Sequence, residues 1–510
     1  MFKSIRKTLA SVCLLLVLSS LFAQIAENQK ELTVIMSESD INLDPHTSSY
    51  ANEAQILSAL YEGLFTYNPI SLKPEKGLVD SYKISRDKKT WTFTLRENIF
   101  FSDGTPITAE SIRKSWLTLL APETDAPYAS LLDCIKGAAE YRRGTGSADD
   151  VKISATENKL TVRLNTPTSY LDKILCHHAF SAVPEKRGVY SGAYILDSAS
   201  EKELHMTKNP YFYGAGHVEI PSIKIMLSDD SDENTFLFNT GKVSWVADGF
   251  NSNNIYNKDA IYDSVLFGTE YLFFVVNDGP LTSPLVRNAL LSAVPWDEIR
   301  QIFNIPADTL VFPITDYPSI PGIGDTDIEL SKELLEEAGY PDGGFSLTFE
   351  IPNSDFLSYL ADELKKAWEP LNISLEVKKS DSNYYFTPET ASGDIFLYSW
   401  IGDFSDPVTF LELFKGDSNL NVTNWKNESF DKLIEEANSL TNQSKRYEKL
   451  AEAEQLLLDD GIILPLCYLI TTNCINLDEI GGWFPNALDM HPFKYMYFRE
   501  QEPTLSNWDL

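Results

Sequence analysis

The stretch Phe345-Ser346-Leu347-Thr348-Phe349-Glu350-Ile351 alternates apolar and polar side chains, the period of a half-buried strand. A helix is expected next, from Asp355 to about Trp368, and Ile373, Leu375 and Val377 then alternate again as a strand. Working outward, Leu330, Leu334, Leu335 and Ala338 form a helical face closed by Gly339, and Asp394 to Trp400 reads as a further strand. Helices follow near Glu428 to Leu440 and after a Ser444 N-cap. This alternation predicts an α/β lobe with a largely parallel or mixed sheet. Ligands bind beyond the carboxyl ends of strands in such sheets, which directs attention to the residues after Trp400.

The N-terminal half alternates in the same way. Leu32 to Met36 reads as a strand, and Ile56, Leu57, Leu60 and Tyr61 share a helical face with Gly63 at C′. Trp91, Phe93 and Leu95 alternate as a strand, Asp103-Gly104 turns the chain, and Thr108 N-caps a helix bearing Ile112, Trp116, Leu119 and Leu120. Val151 to Ala155 and Leu160 to Leu164 form a hairpin around Glu157-Asn158.

Composition removes several classes of function. The chain has 510 residues, with 42 Lys+Arg against 74 Asp+Glu, and a net charge of −32. Hydrophobic residues make up 43%, ample for large cores, so a disordered acidic chain is excluded. The charge opposes binding to nucleic acid and to anionic lipid. The aromatic residues (28 Phe, 24 Tyr and 9 Trp) supply both cores and ligand chambers.

Lys3, Arg6 and Lys7 precede an apolar run from Leu9 to Phe22. That run is shorter than the roughly 20 residues of a bilayer span and suits a signal peptide over residues 1–23, with Ala23 or Ala26 before the cut. Val12 is not the small residue expected before a lipidated Cys13. The mature chain is therefore expected to be exported and periplasmic, without a lipid anchor. Its four cysteines, Cys134, Cys176, Cys467 and Cys474, are irregularly spaced, and Cys467 and Cys474 fall on one extended segment, poor geometry for a bridge. With six His in the chain and no partner for His177-His178 at ligand spacing, no metal site is expected.

No G-x-S-x-G, H-E-x-x-H or Walker A sequence is present. The acidic run Asp229, Asp230, Asp232 and Glu233 lacks the loop glycine and terminal Glu of an EF-hand and reads as a solvated helix start. The segment Trp400-Ile401-Gly402-Asp403-Phe404-Ser405-Asp406-Pro407 is different, because two acids end an apolar strand. A partly buried acid there needs a partner. A ligand ammonium, an internal Lys or Arg, and a helix N-cap all satisfy it, with Asp406 the better cap because Pro407 follows.

Several blocks in order resemble the extracytoplasmic solute-binding proteins of peptide ABC importers, the oligopeptide/dipeptide-binding family (solute-binding protein family 5). They are Leu43-Asp44-Pro45-His46, Leu60-Tyr61-Glu62-Gly63-Leu64, Trp91 to Arg96, Phe101 to Glu110, Ser191-Gly192-Ala193-Tyr194, Asn209-Pro210-Tyr211, Val286 to Leu290 and Leu334 to Tyr340. The resemblance implies a two-lobed periplasmic-binding-protein clamshell of class II type with an extra third domain. Domain I would comprise residues 24–61, 181–269 and 471–510, domain II residues 62–180, and the second lobe residues 270–470.

The resemblance also implies a non-enzymatic, monomeric protein that encloses an oligopeptide and passes it to a transmembrane ABC permease, without a cofactor. Asp403, three residues after Trp400, would pair with the peptide α-ammonium. The backbone of Ser399, Trp400 and Ile401, leading into Gly402, and that of Ser49, Tyr50 and Ala51 would pair with the peptide main chain, a β-augmentation that is tolerant of sequence. Tyr128 matches a Tyr at the ligand, and Asn421 and Trp425 match a loop approaching it. Leu397 stands where a tripeptide-preferring relative has an Arg near the ligand carboxylate, Leu469 replaces a site Tyr, Pro295 replaces an acid, and the stretch between Pro184 and Ser191 is short. These departures leave peptide length open. Relatives also carry nickel, haem, glutathione or sugars, so a non-peptide solute is the alternative ligand. A secreted carboxylate hydrolase is the remaining alternative.

Overall fold

The computed structural model describes residues 30–37, 41–168, 170–380 and 392–499. The expected signal peptide, with Cys13, lies outside the described residues, as do both ends assigned to domain I (24–29 and 500–510). A ten-stranded mixed sheet runs through the molecule. Its order is Ser374–Ser380, Ser346–Pro352, Ile395–Ile401, Ile261–Phe274, Ile463–Ile475, Trp245–Val246, Glu31–Met36, Ser222–Leu227, Glu203–Lys208 and Tyr194–Ala199. Two long antiparallel strands, Ile261–Phe274 and Ile463–Ile475, occupy its middle and lose register between Val265 and Thr269. On one side, Leu272, Trp296, Phe349, Leu360 and Trp368 form an apolar core. On the other, Leu32, Val34, Ile56, Ile225 and Trp245 form a separate one. Two cores joined by shared strands give the two lobes of a clamshell.

A four-stranded antiparallel sheet (Val79–Ile84, Thr90–Leu95, Lys159–Arg163, Ile153–Thr156, in that order) is the extra layer. Trp91, Phe93 and Leu95 bury one face of Thr90–Leu95. Helix Ala109–Leu119 packs on it. Thr108 caps that helix, its Oγ1 accepting from Ser111 N at 3.1 Å, and Trp116 donates Nε1–H to Phe180 O at 2.8 Å. The Asp103-Gly104 turn needs glycine, because Gly104 has φ +84°. The core of this layer is continuous with Phe396, Trp400 and Phe404 of the second lobe, so the lobes meet beside Trp400.

Two details differ from the sequence reading. Helix Ala51–Leu60 ends at an extended Tyr61, so Gly63 is not its C′ residue. Gly63 serves close packing, since a Cβ there would sit 2.9 Å from Phe65 O. Helix Gln443–Asp459 is capped by Asn442 rather than Ser444, with Oδ1 accepting from Lys445 N at 3.0 Å. Cys467 and Cys474 lie on one strand as expected, and all four described cysteines are free.

The loop after Ile395–Ile401 is pinned by a buried ion pair. Arg446 on helix Gln443–Asp459 donates to both carboxylate oxygens of Asp406 at 2.8 Å, and Asp406 Oδ1 also accepts from Val408 N at the start of helix Val408–Leu411. The two side chains are each 4% exposed. Removing one partner of such a pair leaves a buried charge uncompensated and costs about 3–5 kcal/mol. Arg446→Ala should therefore lower unfolding free energy by about that amount, measured by chemical denaturation. The double variant Asp406→Asn/Arg446→Met should recover most of the loss; no recovery would show that packing, rather than the stranded charge, sets the cost.

Candidate functional site

A chamber of about 690 Å³ opens between the lobes, within the roughly 300–1,000 Å³ usual for enclosed ligands. Ser49, Tyr50, Ala51, Tyr128, Ser399, Trp400, Ile401, Gly402 and Asp403 all line it. Strand Ile395–Ile401 supplies one wall. One of its edges pairs antiparallel with Ile261–Phe274 along its full length. On the other edge, among the described residues, only Ile395 has a strand partner, Phe349. From Leu397 to Ile401 that edge is open to an added strand.

Trp400 is buried and stacks on Tyr398, with ring centroids 6.3 Å apart at 13°. Gly402 is required by close approach: a Cβ would fall 2.6 Å from the Phe267 ring and 2.8 Å from Thr409 Cγ2. The turn this permits directs the chain from strand into chamber floor. Gly402 N donates to Phe267 O at 2.8 Å.

The Asp403 side chain is 8% exposed. Thr409 Oγ1 donates to its Oδ2 at 2.8 Å and accepts from its backbone N–H at 3.0 Å. Tyr67 donates its hydroxyl to Asp403 O at 2.6 Å. His177 Nε2 stands 3.7 Å from Oδ1. Burial holds that imidazole well below its ordinary pKa, with neighbouring His178 adding to the effect, so it is neutral near pH 7. Burial likewise pushes the Asp403 carboxyl up to about 7, against hydrogen bonds from Thr409 and Tyr128 that favour the anion. No Lys or Arg ion pair reaches Asp403 among the described residues. The partners considered for this segment thus divide between its two acids: Asp406 takes the internal Arg and the capping role, and Asp403 takes neither.

Behind the Ser49–Ala51 segment of the wall lies a buried acid that is not itself in the described lining. Glu53, 2% exposed, accepts from Ser48 Oγ at 2.7 Å, Asn42 N at 2.8 Å, Ser49 N at 3.2 Å and Tyr50 N at 3.3 Å. The amide donors of Ser49 and Tyr50 are therefore engaged internally. Tyr128 lies across from them, its hydroxyl 3.4 Å from Ser49 O and its ring 4.3 Å from that of His177.

Asn421 and Trp425 are not in the chamber wall, which corrects the expectation that their loop reaches the ligand. The Asn421 amide donates to Lys415 O at 3.0 Å and Trp425 O at 2.9 Å, and its Oδ1 accepts from Thr423 Oγ1 at 2.7 Å. Trp425 is buried, with Nε1–H on the Asp460 carboxylate. Both side chains are spent on holding their own loop.

Other lining residues were not singled out from sequence: Tyr67, His177, His178, Asn353, Tyr398 and Asp489. The adjacent His177-His178 pair was the available signal, and its role here is apolar packing beside an acid rather than metal ligation. Among the described residues, no cluster of three or more His, Cys, Asp or Glu is arranged to hold a metal ion.

Residues 73–421 match the bacterial extracellular solute-binding proteins, family 5 (middle region). The chain is 25% identical to the oligopeptide-binding protein OppA of Bacillus subtilis, covering 93% of this chain and 94% of that one. It is 26% identical to a probable deoxycholate-binding periplasmic protein, YgiS, of Escherichia coli, covering 90% of each chain. Among solved structures, it superimposes on a periplasmic oligopeptide-binding protein, OppAIV, of Borrelia burgdorferi with a TM-score of 0.82 and 26% identity, over 92% of this chain and all of that one. With the family match running through most of the chain, from the four-stranded layer to the loop beyond Asp403, the protein belongs to the family 5 bacterial extracellular solute-binding proteins, which bind rather than transform their ligands.

Proposed function

We propose that this protein is the substrate-binding component of an ABC importer and captures oligopeptides between its lobes for a membrane permease. It works as an exported, periplasmic monomer. The peptide lies against the open edge of Leu397 to Ile401, with its α-ammonium on Asp403. The reading is carried by one observation: Asp403 is enclosed in the chamber with hydrogen-bond donors around it and no Lys or Arg partner among the described residues. A ligand ammonium supplies the missing charge, and the open strand edge supplies main-chain pairing beside it. The oligopeptide-binding names of OppA and OppAIV and the two-lobed fold support the same reading. The lobes then correspond to residues 24–61, 181–269 and 471–510, carrying the 62–180 layer, against residues 270–470. They hinge on the two long shared strands, and closure is the signal to the permease.

Three measurements test it. Mass spectrometry of ligand released from purified protein should find peptides; a non-peptide solute would overturn the reading. Asp403→Ala should weaken peptide binding by about two to three orders of magnitude, as expected for about 3–5 kcal/mol, and N-acetylated peptides should bind wild type equally poorly. Unchanged calorimetric affinity in both would remove the ammonium role.

The third is pH dependence. Without ligand, the Asp403 carboxyl titrates at about 7, well above its ordinary 3.8, so the folded state holds a proton that the unfolded state has lost. Its contribution to stability is present below the ordinary value and is lost as pH rises towards 7. Asp403→Asn should therefore raise Tm relative to wild type more at pH 8 than at pH 4. Peptide binding requires the anion, so affinity should fall by up to about tenfold per pH unit below 7, with proton release on binding at pH 6. A flat profile in calorimetry would contradict the assignment.

A further inference from the structure

The chamber's charged groups are unequal in sign. Its described lining contains two carboxylates, Asp403 and Asp489, and no Lys or Arg. Asp489 has its donors inside the protein: Thr471 Oγ1 at 2.9 Å, Asn473 Nδ2 at 3.0 Å and His491 Nε2 at 2.9 Å. His177 and His178 lie at the Asp403 end, and burial lowers the pKa of both.

A peptide with its amino end on Asp403 runs antiparallel to Ile395–Ile401, back towards Leu397. Four steps of about 3.3 Å cover the distance from Ile401 to Leu397. The described wall at the Leu397 end is Leu397, Pro352 and Asn353, all uncharged. The strand next but one, Ser374–Ser380, carries two cations, Lys378 and Lys379. Lys378 is held by Glu350 at 3.2 Å and by Ser392 Oγ at 2.6 Å, and neither is among the described lining of the chamber. A short peptide bearing a free carboxyl group would place that anion partly out of water, where no cation meets it among the described residues. An unpaired charge in such a place is costly.

We propose that this chamber accepts a cationic amino end and excludes a carboxylate, so that it selects longer peptides whose carboxyl terminus lies past the Leu397 end, and discriminates against free-acid di-, tri- and tetrapeptides. The inference rests on the α-ammonium placement proposed above. It assigns the specificity to Leu397, Pro352 and Asn353, whose neutrality leaves the carboxyl group unrecognised.

Calorimetry on the full mature protein tests it, with matched tetrapeptides and octapeptides of one repeated neutral sequence. Each is prepared as free acid, carboxyl amide and N-acetyl amide. The tetrapeptide amide should bind at least tenfold more tightly than the tetrapeptide acid, and the octapeptide pair should differ by less than twofold. Leu397→Lys should narrow the tetrapeptide gap by supplying a cation. Equal or tighter binding of the tetrapeptide acid by wild type overturns the inference whether or not the variant folds. The N-acetyl amides separate this failure from failure of the ammonium reading. If acetylation abolishes binding while acid and amide tetrapeptides tie, only the carboxylate exclusion falls. If acetylation changes nothing, or no peptide binds, both fall.

Discussion

A carboxylate held away from water, with no Lys or Arg partner among the described residues, is the constraint around which this chamber is organised. Asp403 is surrounded by groups that tolerate or favour its charge without neutralising it: the Thr409 hydroxyl, the Tyr128 hydroxyl and a neutral His177. Each addresses the acid through a dipole, which leaves the charge of its ionised form without a Lys or Arg partner among the described residues. A resident Lys or Arg at 3 Å would satisfy the acid permanently and would have to be displaced by any incoming ammonium. The neutrality of His177 follows from its own burial against Tyr128 and His178. The aromatic packing around the acid therefore shapes the wall and also keeps it free of positive charge.

The neighbouring acids show what completed pairing looks like in the same fold. Asp406 is closed by Arg446. Glu53 is surrounded by backbone and hydroxyl donors. Buried Glu454 takes the Leu310 and Val311 amides and the Tyr317 hydroxyl. Arg446 meets Asp406 with a full charge, whereas Glu53 and Glu454 are met by dipoles, as Asp403 is, and burial pushes the Glu454 carboxyl up to about 7 in the same way. What separates them from Asp403 is that none of the three is in the described lining of the chamber. Rigidity of the frame and availability of Asp403 are two outcomes of one rule, that a buried charge must have partners. The frame's charges find theirs in the chain.

Much of this frame is legible in sequence because it is local. The alternation of Trp91, Phe93 and Leu95, the helix Asp355–Trp368, the Thr108 cap and the Gly104 turn all follow from spacing of at most a few residues. Asp403 is legible too, as an acid that ends an apolar strand, and the family resemblance singles it out from its neighbour Asp406. Other parts of the wall are not. Tyr67, His177 and Asp489 reach the site from positions far apart in the chain, and no periodicity reports such a meeting. Asn421 and Trp425 fail for the opposite reason: their polar atoms are claimed by Lys415, Thr423 and Asp460 within their own lobe, a demand that is invisible until the loop is closed. The Ser49–Tyr50 segment is intermediate, correctly placed but with its amide donors already committed to Glu53.

The net charge of −32 gains a meaning from the same geometry. Spread over the surface, it is mainly a matter of solubility, and it decides nothing about which solute enters. At the chamber mouth, however, it acts in the same sense as the interior, where two carboxylates and no Lys or Arg line the described wall. On the proposed reading, a peptide would be drawn in by its ammonium and opposed by its carboxylate, first through the screened field and then through the unpartnered contact. Main-chain pairing along Leu397 to Ile401, as proposed, would be indifferent to side chains and could not by itself choose among peptides. The choice would then fall to where the two terminal charges come to rest, and the described lining offers a carboxylate to the ammonium and no Lys or Arg to the carboxylate.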